Sequence, residues 1–231
     1  MNLKCPYFFE DILTGYMYNE SMKHIKYILL FVVAVSLYGA AWGGDRMADE
    51  RKVLVQATGV HAVVSAWARY GDEWVEEFRT EDGWVGRNGV TDQKKEGDGK
   101  TPVGVYEMRR AFGIASKPET AFPYHLVVEG DEWVDDALSP FYNQFVPATA
   151  PVERTWNSSE KLNHYPVEYA YALVIEYNTD SAIHGAGSGI FFHCSSNKPT
   201  SGCVSVPEDF MVRLLMFLQP GDKIVIEAAE E

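Results

Sequence analysis

The sequence predicts one mainly β domain with one or more short helices. Short apolar runs alternate with Gly, Pro, Asn and Asp along most of the 231-residue chain, which is the pattern of successive strands and turns. The 13 tyrosines and six tryptophans favour a strand-rich core, because aromatic side chains fit a pleated sheet. Only one segment, near the C-terminus, has the apolar spacing of a helix.

The strands follow from the apolar runs and from the turn residues between them. Gly71-Asp72 marks one turn, and Gly97–Pro102 marks another. Four prolines make residues 135–168 irregular, and a connection of that length usually has a function. The predicted strands are Val60–Tyr70, Glu73–Phe78, Val103–Met108, Tyr124–Val128, Tyr171–Tyr177, Gly189–His193, Gly202–Val206 and Lys223–Glu227.

The predicted helix follows Pro207. Ser205 and Glu208 have the S-x-x-E spacing of a capping box, so Ser205→Ala is expected to cost about 1 kcal/mol of stability. Gln219-Pro220-Gly221 ends the helix. The apolar residues that fall on one face are Phe210, Leu214, Phe217 and Leu218.

Residues 1–43 predict a signal segment. Residues 27–42 read YILLFVVAVSLYGAAW, carry no charge and are fewer than the roughly 20 residues that span a bilayer. Basic residues precede this run and small residues follow it, as in a secretory signal peptide. A start at Met22 fits that pattern better than a start at Met1. Residues 44–231 would then form a single domain, exported to the periplasm or cell envelope, with no stable membrane span. An uncleaved anchor is the alternative.

Charge and motif spacing exclude several classes of function. The net charge of −13 repels phosphate backbones, so no nucleic-acid partner is expected. The glycines around Lys100 do not have the spacing of a phosphate-binding loop. Those around Ser188 lead into a strand and not into the helix that a dinucleotide-binding loop requires. The histidines form no H-x-x-x-H pair, so no metal site is expected.

One segment, GIFFHCSSNKPTSGCVSVPED, has the chemistry of a nucleophilic enzyme. His193 closes one apolar strand and Cys203 opens the next. A neighbouring imidazole activates a thiol by taking its proton, so Cys203 is expected to be ionised and to react with iodoacetamide near pH 6 faster than an isolated thiol. Gly202 would let backbone N–H groups face a developing oxyanion. Thr200 and Ser201 are small polar residues suited to contact a substrate.

A disulfide between Cys194 and Cys203 is the structural alternative, because cysteine pairs in exported proteins often bond. Strand alternation weighs against it. Adjacent residues of a strand point to opposite faces, so if His193 faces Cys203, then Cys194 faces away.

The sequence resembles the L,D-transpeptidase catalytic domain family over roughly residues 80–228. The resemblance rests on His193, on TSGCV at residues 200–204, on GDGKTPVGVY at residues 97–106, and on the helix and terminal PGDKIVIE strand. The chain has Ser201 where the family commonly has His, and Ser205 where Arg or Asn is common. Its interval from His193 to Cys203 is shorter than in many members.

The resemblance implies a β-sandwich-like fold and an enzyme of cell wall biogenesis and cell shape whose partners are peptidoglycan stem peptides. Cys203 would attack the carbonyl between an L-centre and a D-centre, giving a thioester. His193 would be the base, oriented by the backbone carbonyl of Cys194. An amine of another stem, or water, would then resolve the thioester. No metal or organic cofactor is implied.

Three functions compete at this point. The leading hypothesis is an exported cysteine acyltransferase that acts on peptidoglycan stem peptides. The second is a peptidoglycan peptide hydrolase that uses the same Cys203 and His193. The third is a non-catalytic wall-binding domain with a Cys194–Cys203 disulfide.

Overall fold

The computed structural model describes residues 47–229, and the chain from Ala48 onward forms one compact unit. The predicted mainly β class is confirmed, since these residues contain fourteen strands and one α-helix. The predicted signal segment and the start at Met22 lie outside the described residues and stay predictions. No helix within residues 47–229 is both long enough and apolar enough to cross a bilayer.

Eight of the fourteen strands lie at the predicted apolar runs, with differences at their ends, and the other six were not predicted. The helix, α1, spans Glu208–Phe217, and a short 3-10 turn spans Leu162–His164. The strands are β1 Glu50–Thr58, β2 His61–Tyr70, β3 Glu73–Trp84, β4 Val90–Thr91, β5 Thr101–Pro102, β6 Gly104–Gly113, β7 Tyr124–Leu126, β8 Glu132–Val134, β9 Gln144–Val146, β10 Ser159–Lys161, β11 Ala172–Ile175, β12 Phe191–Cys194, β13 Val204–Val206 and β14 Lys223–Ala228.

The main sheet has nine strands in the order β11-β12-β13-β3-β2-β1-β14-β6-β7. Strand β11 also pairs with β6, which closes the eight strands from β11 to β6 into a ring and leaves β7 attached outside it. Closure removes most of the free edges at which a sheet could pair with another chain. Within the ring, β12 and β13 are parallel neighbours, with Phe192 opposite Val204 and His193 opposite Ser205.

Two apolar clusters divide the side chains of β12. Phe192 and Cys194 belong to the larger cluster, into which α1 packs Phe210, Met211, Leu214 and Leu215. Phe191 belongs to a smaller cluster that also contains Cys203. Successive strand residues point to opposite faces, so the two cysteines lie in different layers. Both are free thiols, and the disulfide alternative is therefore wrong for this structure.

The capping box predicted for α1 is wrong. The residue that precedes the helix is Pro207, and no side chain caps it. Ser205 belongs to β13, where it is 1% exposed and its hydroxyl has no hydrogen-bond partner among the described residues. Because the strand holds Ser205 away from the helix end, Ser205→Ala removes no cap. The loss of about 1 kcal/mol expected from the sequence has no basis here.

The segment expected to be irregular, residues 135–168, contains β9, β10 and the 3-10 turn. Strands β9 and β10 both pair with β8, which gives a separate three-stranded sheet. Each strand has only three residues, which is too short for an alternating pattern to be recognised. This small sheet matters for function, because it brings Glu160 and Trp133 to the cleft that contains Cys203.

Candidate active site

Cys203 lies just before β13 and is held by backbone groups of the neighbouring chain segment. Its Sγ donates a hydrogen bond to the carbonyl of Gly189 at 3.3 Å and accepts one from the N–H of Phe191 at 3.3 Å. No hydrogen bond joins Cys203 to His193 among the described contacts, although both side chains line one cleft. Because β12 and β13 are parallel, His193 lies opposite Ser205, two residues along the chain from Cys203.

The His193 ring is fixed in one orientation. Its Nδ1 lies 2.7 Å from the carbonyl of Cys194. A carbonyl can only accept, so Nδ1 carries the proton and Nε2 keeps its lone pair. Tyr169 packs edge-on against the imidazole, with ring centroids 5.6 Å apart. Nε2 is therefore the atom available to take a proton.

The resting state of this pair differs from the expected ion pair. Burial, with a smaller effect from the negative charge of Glu160, raises the pKa of the Cys203 thiol to about 12. Burial of the imidazole lowers the pKa of His193 to about 4. Both groups are thus neutral at physiological pH. The sequence-based expectation of a permanently ionised Cys203 is corrected, because the two side chains are 8% and 6% exposed and water does not stabilise their charges.

We expect free Cys203 to react slowly with iodoacetamide. A raised pKa means a smaller thiolate fraction, so the rate should lie below that of an isolated thiol and keep rising from about pH 7 to about pH 10, past the usual pKa of about 8.5. Rates would be measured by mass spectrometry in a Cys194→Ala background. A rate near pH 6 above that of free cysteine would contradict this and restore the ion pair.

The segment before Cys203 is shaped by Thr200 and Gly202. The Thr200 hydroxyl donates to the carbonyl of Cys203 at 2.7 Å and accepts from the N–H of Gly202 at 3.1 Å. Gly202 has φ of +147°, and a Cβ there would come within 3.0 Å of the Lys100 carbonyl oxygen. The Ser201 hydroxyl is at the surface and accepts from Arg87 at 2.9 Å. Thr200 therefore organises the loop, and both Thr200 and Ser201 line a cleft beside Cys203.

The GDGKTP motif, residues 97–102, is hydrogen-bonded to the same loop although it lies far from it in sequence. Thr101 is fully buried, and its hydroxyl accepts from the N–H of Gly86 at 2.8 Å and donates to the carbonyl of Cys203 at 3.0 Å. The Asp98 carboxylate accepts from the N–H groups of Lys95 and Lys100, each at 2.9 Å. The motif thus connects two distant segments at the nucleophile.

Thr101→Val should lower the free energy of unfolding by about 1–3 kcal/mol, because it leaves the buried N–H of Gly86 without a partner while keeping the side-chain volume. Chemical denaturation measures this loss. Thr91→Val is the matched control, since the Thr91 hydroxyl accepts only from the exposed N–H of Gln93. Equal stability of the two variants would show that Thr101 does not support the loop.

Two clefts meet at Cys203. We call the first, of about 190 Å³, the histidine-side cleft; its walls include Tyr169, Glu168, His193, Lys198 and Ser205. We call the second, of about 340 Å³, the lysine-side cleft; its walls include Arg87, Lys94, Trp133, Asp135 and Gly202. Cys203, Glu160, Tyr165 and Ser201 line both. No group of three or more His, Cys, Asp or Glu side chains suited to a metal ion occurs within the described residues.

Sequence reasoning missed several residues of these clefts. Glu160 and Asp135 come from the segment expected to be irregular, and Tyr169 follows it. Lys94 lies in the turn before the GDGKTP motif, where it is paired with Asp98 at 2.6 Å. None of these residues has a sequence spacing that relates it to Cys203, and the polar character of Asp135 and Glu160 in a long connection was the only signal.

The comparison with protein families agrees with the geometry of the site. Residues 74–226 match the YkuD family model, the L,D-transpeptidase catalytic domain. The chain belongs to this family.

Two solved structures are similar to this chain at low sequence identity. The helical cell shape determining protein Pgp2 from Campylobacter jejuni is 18% identical with a TM-score of 0.47, over 81% of this chain and 53% of Pgp2. The present chain therefore spans about half the length of Pgp2. L,D-transpeptidase 1 from Mycobacterium tuberculosis is 12% identical with a TM-score of 0.35, over 77% of this chain and 61% of that one. No curated protein matches the sequence.

Proposed function

We propose that this protein is an exported cysteine acyltransferase that acts on peptidoglycan stem peptides through a thioester on Cys203. The observation that carries the proposal is that Cys203 lies where two clefts meet. An acyl transfer needs a donor and an acceptor at one nucleophile, and two clefts that share Cys203 provide for both. Membership of the L,D-transpeptidase catalytic domain family supports the same chemistry.

The first half-reaction begins from the neutral pair. As Sγ attacks the stem carbonyl, Nε2 of His193 takes the thiol proton and later gives it to the departing amine. The C–N bond breaks and a thioester remains. The carbonyl of Cys194 accepts from Nδ1 and stabilises the imidazolium while it exists. Proton transfer is thus coupled to attack, so neither separated charge has to form in the buried resting site.

Two groups, the N–H of Gly202 and the ammonium group of Lys94, lie where they could stabilise the negative charge that develops on the substrate oxygen. The N–H of Gly202 points to the Thr200 hydroxyl at 3.1 Å, and an oxyanion is a stronger acceptor than that hydroxyl. Nζ of Lys94 lies 3.5 Å from the position that a Cβ of Gly202 would occupy. The Lys94 charge also lowers the pKa of Cys203, against the larger effect of burial. Lys94 is also paired with Asp98 at 2.6 Å, which compensates part of its charge, so the N–H of Gly202 is the direct donor at this end of the lysine-side cleft.

Product analysis on defined muropeptides tests the proposed function. Cross-linked dimers with a transient acyl adduct on Cys203, seen by mass spectrometry of the intact protein, are the expected result. Shortened stems without dimers would identify a hydrolase that uses the same pair. Absence of any adduct and of any product, from a protein with a free Cys203 thiol, would overturn the enzymatic proposal.

A further inference from the structure

Glu160 is an ionisable group beside Cys203 for which the acyl transfer described above has no role. Its Oε1 accepts a hydrogen bond from the Tyr169 hydroxyl at 2.5 Å. Its Oε2 lies 3.6 Å from the position that a Cβ of Gly189 would occupy, and the carbonyl of Gly189 accepts the thiol of Cys203 at 3.3 Å. The carboxyl and the thiol therefore flank the same residue, and both line the two clefts.

The surroundings of Glu160 allow it to exchange a proton near neutral pH. Burial, followed by the negative charges of Asp135 and Glu168, raises its pKa to about 7, although the bond from Tyr169 opposes this. The ionisable groups that interact with it are Asp135, Tyr165, Glu168, Tyr169 and Cys203. None of these groups is a cation. Three cations share a cleft with Glu160, and each has another partner: Arg87 donates to Ser201, Lys94 pairs with Asp98, and Lys198 pairs with Glu168.

Asp135 indicates what kind of ligand this wall accepts. Its Oδ1 is buried and has no hydrogen-bond partner among residues 47–229, and the residue lines the lysine-side cleft together with Glu160. A buried carboxylate oxygen without a donor is unfavourable. An alkylammonium group offers three N–H donors and a positive charge, which would satisfy this oxygen and pair with Glu160.

We propose that Glu160 accepts the proton of the amine that resolves the Cys203 thioester, with Asp135 holding that amine in the lysine-side cleft. This inference rests on the proposed acyltransferase function. It gives His193 and Glu160 separate tasks. The imidazole activates the thiol, and the carboxylate converts the incoming ammonium ion into a nucleophile.

Ionised Glu160 takes one proton from the ammonium ion and becomes a neutral carboxylic acid. The amine nitrogen then attacks the thioester carbonyl, forming a C–N bond, and gives its second proton to Nε2 of His193. The C–S bond breaks, the thiolate takes that proton back, and Glu160 releases its own to solvent. The products are an amide and a neutral Cys203 thiol.

Two amines of similar shape and different basicity test the assignment. The acyl-enzyme is formed with a defined muropeptide donor, and its resolution is followed with ethylamine, which is protonated at neutral pH, or trifluoroethylamine, which is mainly neutral. Glu160→Gln should slow resolution by ethylamine about 10²-fold, the usual contribution of a general base, and slow resolution by trifluoroethylamine much less. Glu50→Gln, which removes a carboxylate paired with Arg69 outside both clefts, should not change the ratio of the two rates.

The formation of the acyl-enzyme is measured separately in each variant. If the wild-type protein forms none, the proposed function fails. If Glu160→Gln slows both amines equally, the role of Glu160 is overturned and the acyltransferase chemistry stands. If the thioester forms but neither amine resolves it faster than water, the role of Glu160 is overturned and the result favours the hydrolase alternative. Tyr169→Phe is a second variant that keeps the carboxyl. Losing that hydrogen bond should raise the pKa of Glu160 and move the pH midpoint of ethylamine transfer upward, and an unchanged midpoint would contradict the proposal.

Discussion

Cys203→Ala is expected to abolish the processing of peptidoglycan stems while the fold stays intact. The substitution removes the Sγ that would carry the acyl group, and no other thiol lies at the two clefts within the described part of the chain. The lost volume is small, so the stability cost should be about 1 kcal/mol. Product analysis and thermal unfolding of the same preparation measure both effects.

Cys194→Ala is the matched control for this experiment. The Cys194 thiol lies in the larger apolar cluster and donates only to the carbonyl of Tyr171 at 3.5 Å. Its contribution to the site is a backbone carbonyl, which alanine also supplies. This variant should keep most of the activity and lose about 1 kcal/mol from a small cavity. Equal stability losses in both variants that disappear under reductant would instead indicate a disulfide.

His193→Gln should reduce the rate of thioester formation by about 10²–10⁴-fold, the usual contribution of a general base. Glutamine has a similar volume and can still donate to the carbonyl of Cys194, so the loss reports the missing base. His164→Gln makes the same change at an exposed histidine of the 3-10 turn and should have no such effect.

The pH profile of the wild-type protein provides a second measurement of the same role. A base must be unprotonated to act, and burial lowers the pKa of His193 to about 4. The acid limb of kcat/KM for the donor stem peptide, which reports thioester formation and not the Glu160-dependent resolution, should therefore fall near pH 4 and should be absent in His193→Gln. A limb near pH 6.5 would mean that the imidazole is more solvated than this structure shows.

Local sequence patterns were sufficient for the fold class and for the principal pair of side chains. Apolar runs and turn residues located β2, β6, β12 and β14, because strand formation depends on alternation within a few residues. The same patterns predicted that Cys194 and Cys203 point to opposite layers. Motif chemistry identified His193, the carbonyl of Cys194 and the Gly202–Cys203 pair as candidates.

Tertiary structure decided the features that depend on distant residues or on burial. Ser205 has the spacing of a helix cap, yet its place in β13 prevents it from capping α1. Thr101 reaches the carbonyl of Cys203 across 102 residues of sequence. The protonation states of Cys203 and His193 also follow from their surroundings, since it is removal from water that disfavours their charged forms. The sequence by itself determined which side chains could react. Only the packed structure determined their charges and brought Glu160, from the small second sheet, beside them. Long-range contacts and the exclusion of solvent cannot be inferred from local sequence spacing.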